Sequence, residues 1–272
     1  MAQTVSRMNH IFGTDGKTFI LAMDHGSNFN VLPAMKDAKT LIRELAAAGA
    51  DAFLSTIGMA ENFAGSFLGK GIILRIDGGV SFLGDHKAPM QIVATAEDAL
   101  RLGADSVITM SFPGSVHEAE VLSNLARVCL DCHKWGMPVT AEALPRGFEK
   151  AGDSRTPENI TFACRQAAEL GADIVGIALG KTAGDDDLEL RVFLAVGGGL
   201  KDLFNGLGLG RFDKGAGIDD YGVGFGKVVG KSISGVLQQS QHFLAVYEVF
   251  RAAERDHGHR GGIVHSVSFP DK

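Results

Sequence analysis

Four residues capable of proton transfer or nucleophilic attack stand just after short apolar runs: Asp24, His25, Glu142 and Lys181. A lysine amine in low-dielectric surroundings loses its proton readily, and the neutral amine attacks a carbonyl carbon to form a Schiff base. Lys181 is the candidate nucleophile on that reasoning, with a solvated surface lysine as the alternative. Asp24 suits proton transfer to and from such an imine, or it caps the turn that follows it. Glu142 reads as a second acid/base group or a hydrogen-bonding wall residue. Arg146 reads as a phosphate or hydroxyl contact, or as the partner of Glu149 and Asp153. His25, His86 and His117 fall in three different loops without H-x-H or H-E-x-x-H spacing, so no metal site is expected.

The elements that must position these groups follow from the hydrophobic period. Continuous apolar runs, the pattern of buried parallel strands, occur at Phe19–Met23, Ala52–Leu54, Ile72–Ile76, Ser106–Met110, Pro138–Ala141, Ile174–Ala178 and Val192–Val196, with a weaker one at Lys227–Val229. Amphipathic helical patterns lie between most of them, at Asp37–Ala48, Thr95–Leu102, His117–Trp135 and Thr156–Leu170. Three helix exits repeat one phrase, Gly49-Ala50-Asp51, Gly103-Ala104-Asp105 and Gly171-Ala172-Asp173, in which glycine supplies the left-handed turn into the next strand.

Eight runs with intervening helices predict an α/β chain folded as a single-domain (β/α)8 barrel over residues 1–272, the TIM-barrel architecture. A last helix at Gln238–Arg255 would precede a polar tail over 257–272. The glycine-dense stretch Gly197–Gly230 has poor helical period and reads as a loop or a distorted helix. In such a barrel, catalytic groups come from the carboxyl ends of several strands, which selects Asp24, His25, Ser55, Thr56, Asp77, Ser111, Glu142, Arg146 and Lys181. Glycine-rich turns after the seventh and eighth runs, Gly197-Gly198-Gly199 and Gly230-Lys231-Ser232, are where converging backbone N–H groups hold a phosphate. The expected ligand is a phosphorylated small molecule. Neither Gly224–Ser232 nor Gly206–Gly210 fits a nucleotide fingerprint.

Composition narrows the partners. The chain has 272 residues, 26 Lys+Arg against 32 Asp+Glu and a net charge of −6, so no basic surplus suits it to nucleic acid or an anionic membrane. No apolar run approaches the roughly 18 residues of a membrane span. Met1–His10 is polar and lacks the apolar core of a secretory leader, which makes the cytoplasm the expected compartment. The 3 cysteines, Cys129, Cys132 and Cys164, are odd in number and read as buried thiols.

Several of these phrases together resemble a known family, the class I Schiff-base aldolases of the archaeal-type fructose-bisphosphate aldolase and 2-amino-3,7-dideoxy-D-threo-hept-6-ulosonate synthase group. The residues that carry the resemblance are Asp15-Gly16-Lys17-Thr18 leading into Met23-Asp24-His25-Gly26, the segment Ala94–Val107, Trp135-Gly136-Met137-Pro138, Pro145-Arg146-Gly147 and Val229-Gly230-Lys231-Ser232-Ile233. The resemblance implies Asp24 as acid/base carboxylate and Lys181, in Lys181-Thr182-Ala183-Gly184-Asp185, as imine lysine. It implies a phosphate held by Gly198, Gly199, Gly230 and Lys231, with Lys231 in place of the usual arginine. Leu144 stands where the family has a tyrosine proton donor, which leaves Glu142, His25 or a water to assist the hydroxyl proton.

The expected activity is therefore an aldolase or transaldolase-type lyase making or breaking a C–C bond in a phosphorylated ketose. It would need no cofactor, and a homo-oligomer is the expected assembly. The rival expectations are a sugar-phosphate-binding barrel without turnover, and an acid/base or metal-dependent lyase or isomerase using Asp24 and Glu142.

Overall fold

A computed structural model describes residues 2–14, 18–28, 31, 33–79, 81, 83–84, 88–147, 154, 156–182, 185–195, 244–245 and 263–268. The expected strand at 227–229, the glycine-dense stretch and the four phosphate-loop residues Gly198, Gly199, Gly230 and Lys231 lie outside the described residues.

Most of the apolar runs become strands: β1 (Ile20–Ala22), β2 (Ala52–Ser55), β3 (Gly71–Arg75), β6 (Ser106–Ser111), β7 (Val139–Ala143) and β8 (Ile174–Thr182), with a short hairpin of β4 (Asp77–Gly78) and β5 (Gln91–Ile92) after β3. The six long strands pair in parallel in the order β1-β2-β3-β6-β7-β8 and curl into one sheet. Helices α3 (Ala38–Ala48), α4 (Ile57–Asn62), α5 (Ala96–Arg101), α6 (Glu118–His133) and α7 (Pro157–Glu169) make the crossovers. Four of the five starts obey the capping rules: Asp37, Thr56, Thr95 and Thr156 each accept a backbone N–H of the first turn, and Pro157 opens α7, whereas His117 before α6 makes no such bond.

Strand residues alternate between two apolar layers. Leu21, Phe53, Leu74, Val107, Val139 and Val175 belong to the larger layer, which includes Leu41, Ile42 and Leu45 of α3 and Leu125 of α6. Ile20, Ala22, Ala52, Leu54, Ile73, Ile108 and Ile174 form a second, inner layer with Ile11 of the N-terminal helix α1 (Ala2–Ile11). Each fully buried branched side chain contributes about 1.5–3 kcal/mol relative to leaving it exposed. Helix α1 is tied down where Arg7 Nη1 donates to Ala104 O at 2.8 Å. It also passes so close to Gly71 that a Cβ there would sit 2.6 Å from the His10 carbonyl oxygen, which admits only glycine at the start of β3.

The repeated helix exits prove to be one device used three times. Gly49 and Gly171 hold φ of 116° and 104°, as a left-handed helix end requires. The aspartate that follows then makes a reciprocal pair with the start of the preceding strand. Asp51 N donates to Phe19 O while Phe19 N donates to Asp51 Oδ2 at 2.8 Å. Asp105 exchanges the same two bonds with Ile72, and Asp173 with Val139. Backbone groups at strand entrances that would otherwise need water are thereby satisfied.

Past β8 the sheet departs from the expected parallel order. The run Val192–Val196 was expected as a seventh parallel strand, but its residues through Ala195 belong to β9 (Asp185–Ala195), which pairs antiparallel with β8. The physical reason is connection length. Residues 183–184 alone separate the two strands, whereas a parallel return needs a crossover of a dozen or more residues. Two further antiparallel strands, β10 (Leu244–Ala245) and β11 (Ile263–Ser268), continue from β9 to the free edge of β1. Strand β10 falls inside the stretch read as the last helix, and β11 inside the stretch read as a tail. The β-branched run Ile263-Val264 and Val267, following Gly261-Gly262, suits a strand.

Candidate active site

The carboxyl ends of β1, β3 and β7 converge on one arginine. Arg75, the last residue of β3, donates from Nε to Asp24 Oδ2 at 2.7 Å and from Nη1 to Asp77 Oδ1 at 3.2 Å, and its Nη2 pairs with Glu142 Oε2. All four side chains are shielded from solvent, with residue exposures of 3% for Arg75, 6% for Asp24, 1% for Asp77 and 1% for Glu142. Burying ions costs several kcal/mol each unless they are paired and hydrogen-bonded, so the guanidinium and carboxylates depend on one another. A guanidinium suits this role because its planar fork aims five N–H donors in fixed directions.

Each arm is positioned by its strand. Asp24 follows the β1 run directly and precedes the short helix α2 (His25–Asn28); Ser27 N and Oγ both donate to its carbonyl. Glu142 sits within β7, paired with Met110 on one side and Gly176 of β8 on the other. Asp77 is held most firmly: its Oδ2 accepts from Thr109 Oγ1 at 3.0 Å and from Met110 N at 2.6 Å while Oδ1 faces Arg75. Three carboxylates around one guanidinium leave an excess of negative charge at the strand ends.

The electrostatics of Asp24 show which influence wins. Burial pushes its pKa up, but the Arg75 charge, the neighbouring His25 and the Arg75 hydrogen bond together hold it below the usual carboxylate value. Burial likewise lowers the Arg75 pKa, and the charges of Asp24 and Asp77 outweigh it to leave the guanidinium more firmly protonated. Asp24 is therefore a charged carboxylate at neutral pH.

Of the sequence-predicted residues, Asp24, Glu142 and His25 are brought together here. His25 opens α2 beside Asp24 and is half-buried. Lys181 lies further along β8 from Gly176, past the last β7 partner Ile177, and opposite Glu189 of β9. Arg146 is exposed and lines a surface groove of about 310 Å³ with Pro113, Gly114, Asn159 and Phe162. Its backbone is unusual, with φ 63° in the left-handed region, and its N–H donates to Pro113 O at 2.7 Å. Its once-considered partners Glu149 and Asp153 lie outside the described residues, as does His86.

Leu144 is fully buried with Met90, Met110, Phe112 and Val121. The cysteines are free and buried, and burial is the main cause that pushes each thiol up to about 12. Among the described residues no group of three His, Cys, Asp or Glu is placed to hold a metal ion, and no helix is long and apolar enough to cross a membrane.

Arg75 was missed by the sequence reading, and Asp77 was noted only as a strand-end residue. The available signal was a lone arginine within the apolar run Ile72-Ile73-Leu74-Arg75-Ile76, since an arginine that enters a buried strand must find carboxylates there.

Six parallel strands curled into one sheet, with helices as crossovers and buried acid groups at the strands' carboxyl ends, define an α/β protein. Residues 18–195 match the model of the DeoC/LacD family aldolase, and the chain belongs to that family. It is 34% identical over 177 residues to a 2-amino-3,7-dideoxy-D-threo-hept-6-ulosonate synthase of Halobacterium salinarum, a match covering 65% of each chain. It is 31% identical over 183 residues to a class 1 fructose-bisphosphate aldolase of Thermoproteus tenax, covering 65% of this chain and 68% of that one. The match thus spans just under two thirds of the Halobacterium relative's length. Among solved structures, an archaeal fructose-1,6-bisphosphate aldolase with its catalytic lysine covalently bound to the carbinolamine intermediate of the substrate superposes with a TM-score of 0.54 at 30% identity, over 62% of this chain and 68% of that one.

Proposed function

We propose that the chain is a class I aldolase that cleaves or forms a C–C bond in a phosphorylated ketose through a lysine Schiff base. The observation that carries this reading is the pair of buried carboxylates, Asp24 and Glu142, held by one guanidinium at the carboxyl ends of parallel strands in a member of an aldolase family. Family membership supports taking the six parallel strands as the first six units of a (β/α)8 barrel, working as a cytoplasmic homo-oligomer.

In the cleavage direction the neutral Lys181 amine adds to the ketose carbonyl and gives a carbinolamine. Asp24 takes the proton that the nitrogen sheds in forming the carbinolamine and returns it to the oxygen, and that proton together with one from solvent releases the oxygen as water and leaves an iminium. Glu142 or His25 then takes the proton of the C4 hydroxyl. The C3–C4 bond breaks, its electron pair moves into the iminium to form an enamine, and an aldehyde departs. Proton return to C3 and hydrolysis by water release the second product and the free lysine. Arg146, Gly198, Gly199, Gly230 and Lys231 are the proposed contacts for phosphate. This chemistry needs no cofactor.

The test is borohydride reduction with dihydroxyacetone phosphate and, separately, fructose 1,6-bisphosphate, followed by intact-protein mass spectrometry and peptide mapping. An adduct on the Lys181 peptide that disappears in Lys181→Met supports the assignment. An adduct on another lysine keeps the reaction class and moves the nucleophile. Buried, apolar Leu144 favours a second reading, because it offers no proton where a donor would be expected: binding of a sugar phosphate without turnover. Calorimetric affinity with no adduct and no product by NMR would select that reading.

A further inference from the structure

The cluster holds two residues to which the proposed reaction assigns no step, Arg75 and Asp77. Both carboxylate oxygens of Asp77 are in use, Oδ1 on Arg75 and Oδ2 on Thr109 Oγ1 and Met110 N. It is thereby fixed to β6 and is poorly suited to passing protons. What it does is orient one edge of a guanidinium whose other two edges point at Asp24 after β1 and Glu142 on β7. Because the guanidinium is planar, fixing the Asp77 edge fixes the plane, and with it the oxygens that Nε and Nη2 engage. Arg75 engages Asp24 through Oδ2.

We propose that Arg75, aligned by Asp77 and Thr109, is a positioning residue that holds Asp24 and Glu142 to one point and keeps Asp24 charged and able to accept a proton. The proposal rests on reading this cluster as the catalytic centre. The charged or titratable groups acting on Asp24 are Arg75 from β3 and His25 from α2, with Asp77 from β4 and Glu142 from β7 joined to the same guanidinium. Of these, Arg75 and His25 favour the charged carboxylate, whereas Asp77 and Glu142 oppose it through like charge. The balance therefore depends on how closely Arg75 is held.

The experiment follows the Asp24 carboxyl carbon by NMR in protein labelled with 13C-aspartate, its signal assigned by its loss in Asp24→Asn. Two variants are compared with the parent chain: Arg75→Lys, which keeps the charge but loses the fork, and Thr109→Val, which removes one donor to Asp77 and alters no charge. The expected result is an upward shift of the Asp24 midpoint by about one pH unit in Arg75→Lys and a smaller shift in the same direction in Thr109→Val. An unchanged midpoint in folded Arg75→Lys, whether or not its melting temperature falls, overturns the proposal, because a purely structural brace would leave the titration where it was. Should Arg75→Lys not fold, Thr109→Val decides. The titration needs no substrate. Failure to trap an imine in the parent chain would therefore overturn the aldolase reading while leaving the positioning result to stand by itself.

Discussion

Carboxylates gather at both ends of the same strands, and the two ends treat them differently. At the amino ends, Asp51, Asp105 and Asp173 each meet a backbone N–H of the neighbouring strand's first residues, a neutral partner in a fixed place. At the carboxyl ends, Asp24, Asp77 and Glu142 share one guanidinium and outnumber it. A backbone amide stabilises a carboxylate with little consequence beyond the pair. A shared guanidinium makes three groups interdependent in charge and position, which is the property proton-transfer chemistry needs. On the proposed reading the contrast follows the division of labour in α/β barrels, with stability at the amino ends and chemistry at the carboxyl ends.

The largest effect that separates the two ends is expected from Arg75→Met. It leaves three buried carboxylates without their cation, so chemical denaturation should show a loss of about 3–5 kcal/mol, and borohydride trapping should vanish. Next in size, Asp105→Ala at the amino end removes an acceptor for Ile72 N and the 2.7 Å partner of His10, which should cost about 1–3 kcal/mol. The Asp24 carboxyl should titrate as in the parent chain. A changed titration would mean that the two ends are coupled through β3.

Acid should distinguish them further. The folded chain holds the Asp24 pKa below its ordinary value, so the unfolded chain binds that proton more readily. The stability this contributes is present above the ordinary carboxylate pKa of about 3.9 and is lost as pH falls through the lower folded value. Thermal melts across that range should show a decline that Asp24→Asn flattens. The smallest effect concerns the thiols. With Cys129, Cys132 and Cys164 pushed up to about 12 by burial, iodoacetamide at neutral pH should alkylate unfolded chain and spare native chain. Rapid alkylation of native chain would show local opening around α6 and α7.

Much of this was legible in the residues, for local reasons. Apolar runs of strand length and caps such as Thr156-Pro157 are signals that a few neighbours carry, and they appear where expected. Asp24 and Glu142 were placed at strand ends because such ends can be located from the same runs, and the structure has them there. The role of Arg75 was not legible, since nothing within the Ile72–Ile76 run says which carboxylates an arginine there will meet. Asp24 is 51 residues away and Glu142 67. The antiparallel β9 was misread because an apolar run carries no strand direction, although the short connection before it held a clue. Likewise Gly-Ala-Asp was visible as a repeat, but only its glycine had a physical account.

The residues by themselves thus determined the order of strands and helices through β8, the turns between them and the chemical types available at those strand ends, because period, capping and glycine geometry act over a few residues. Tertiary structure alone decided which charges share a site, that β9 runs antiparallel, and that Arg146 stands in a surface groove while Arg75 lies among the carboxylates. Those outcomes depend on distances between strands far apart in the chain, and on the cost of burying a charge, which is met only where a partner from another strand arrives.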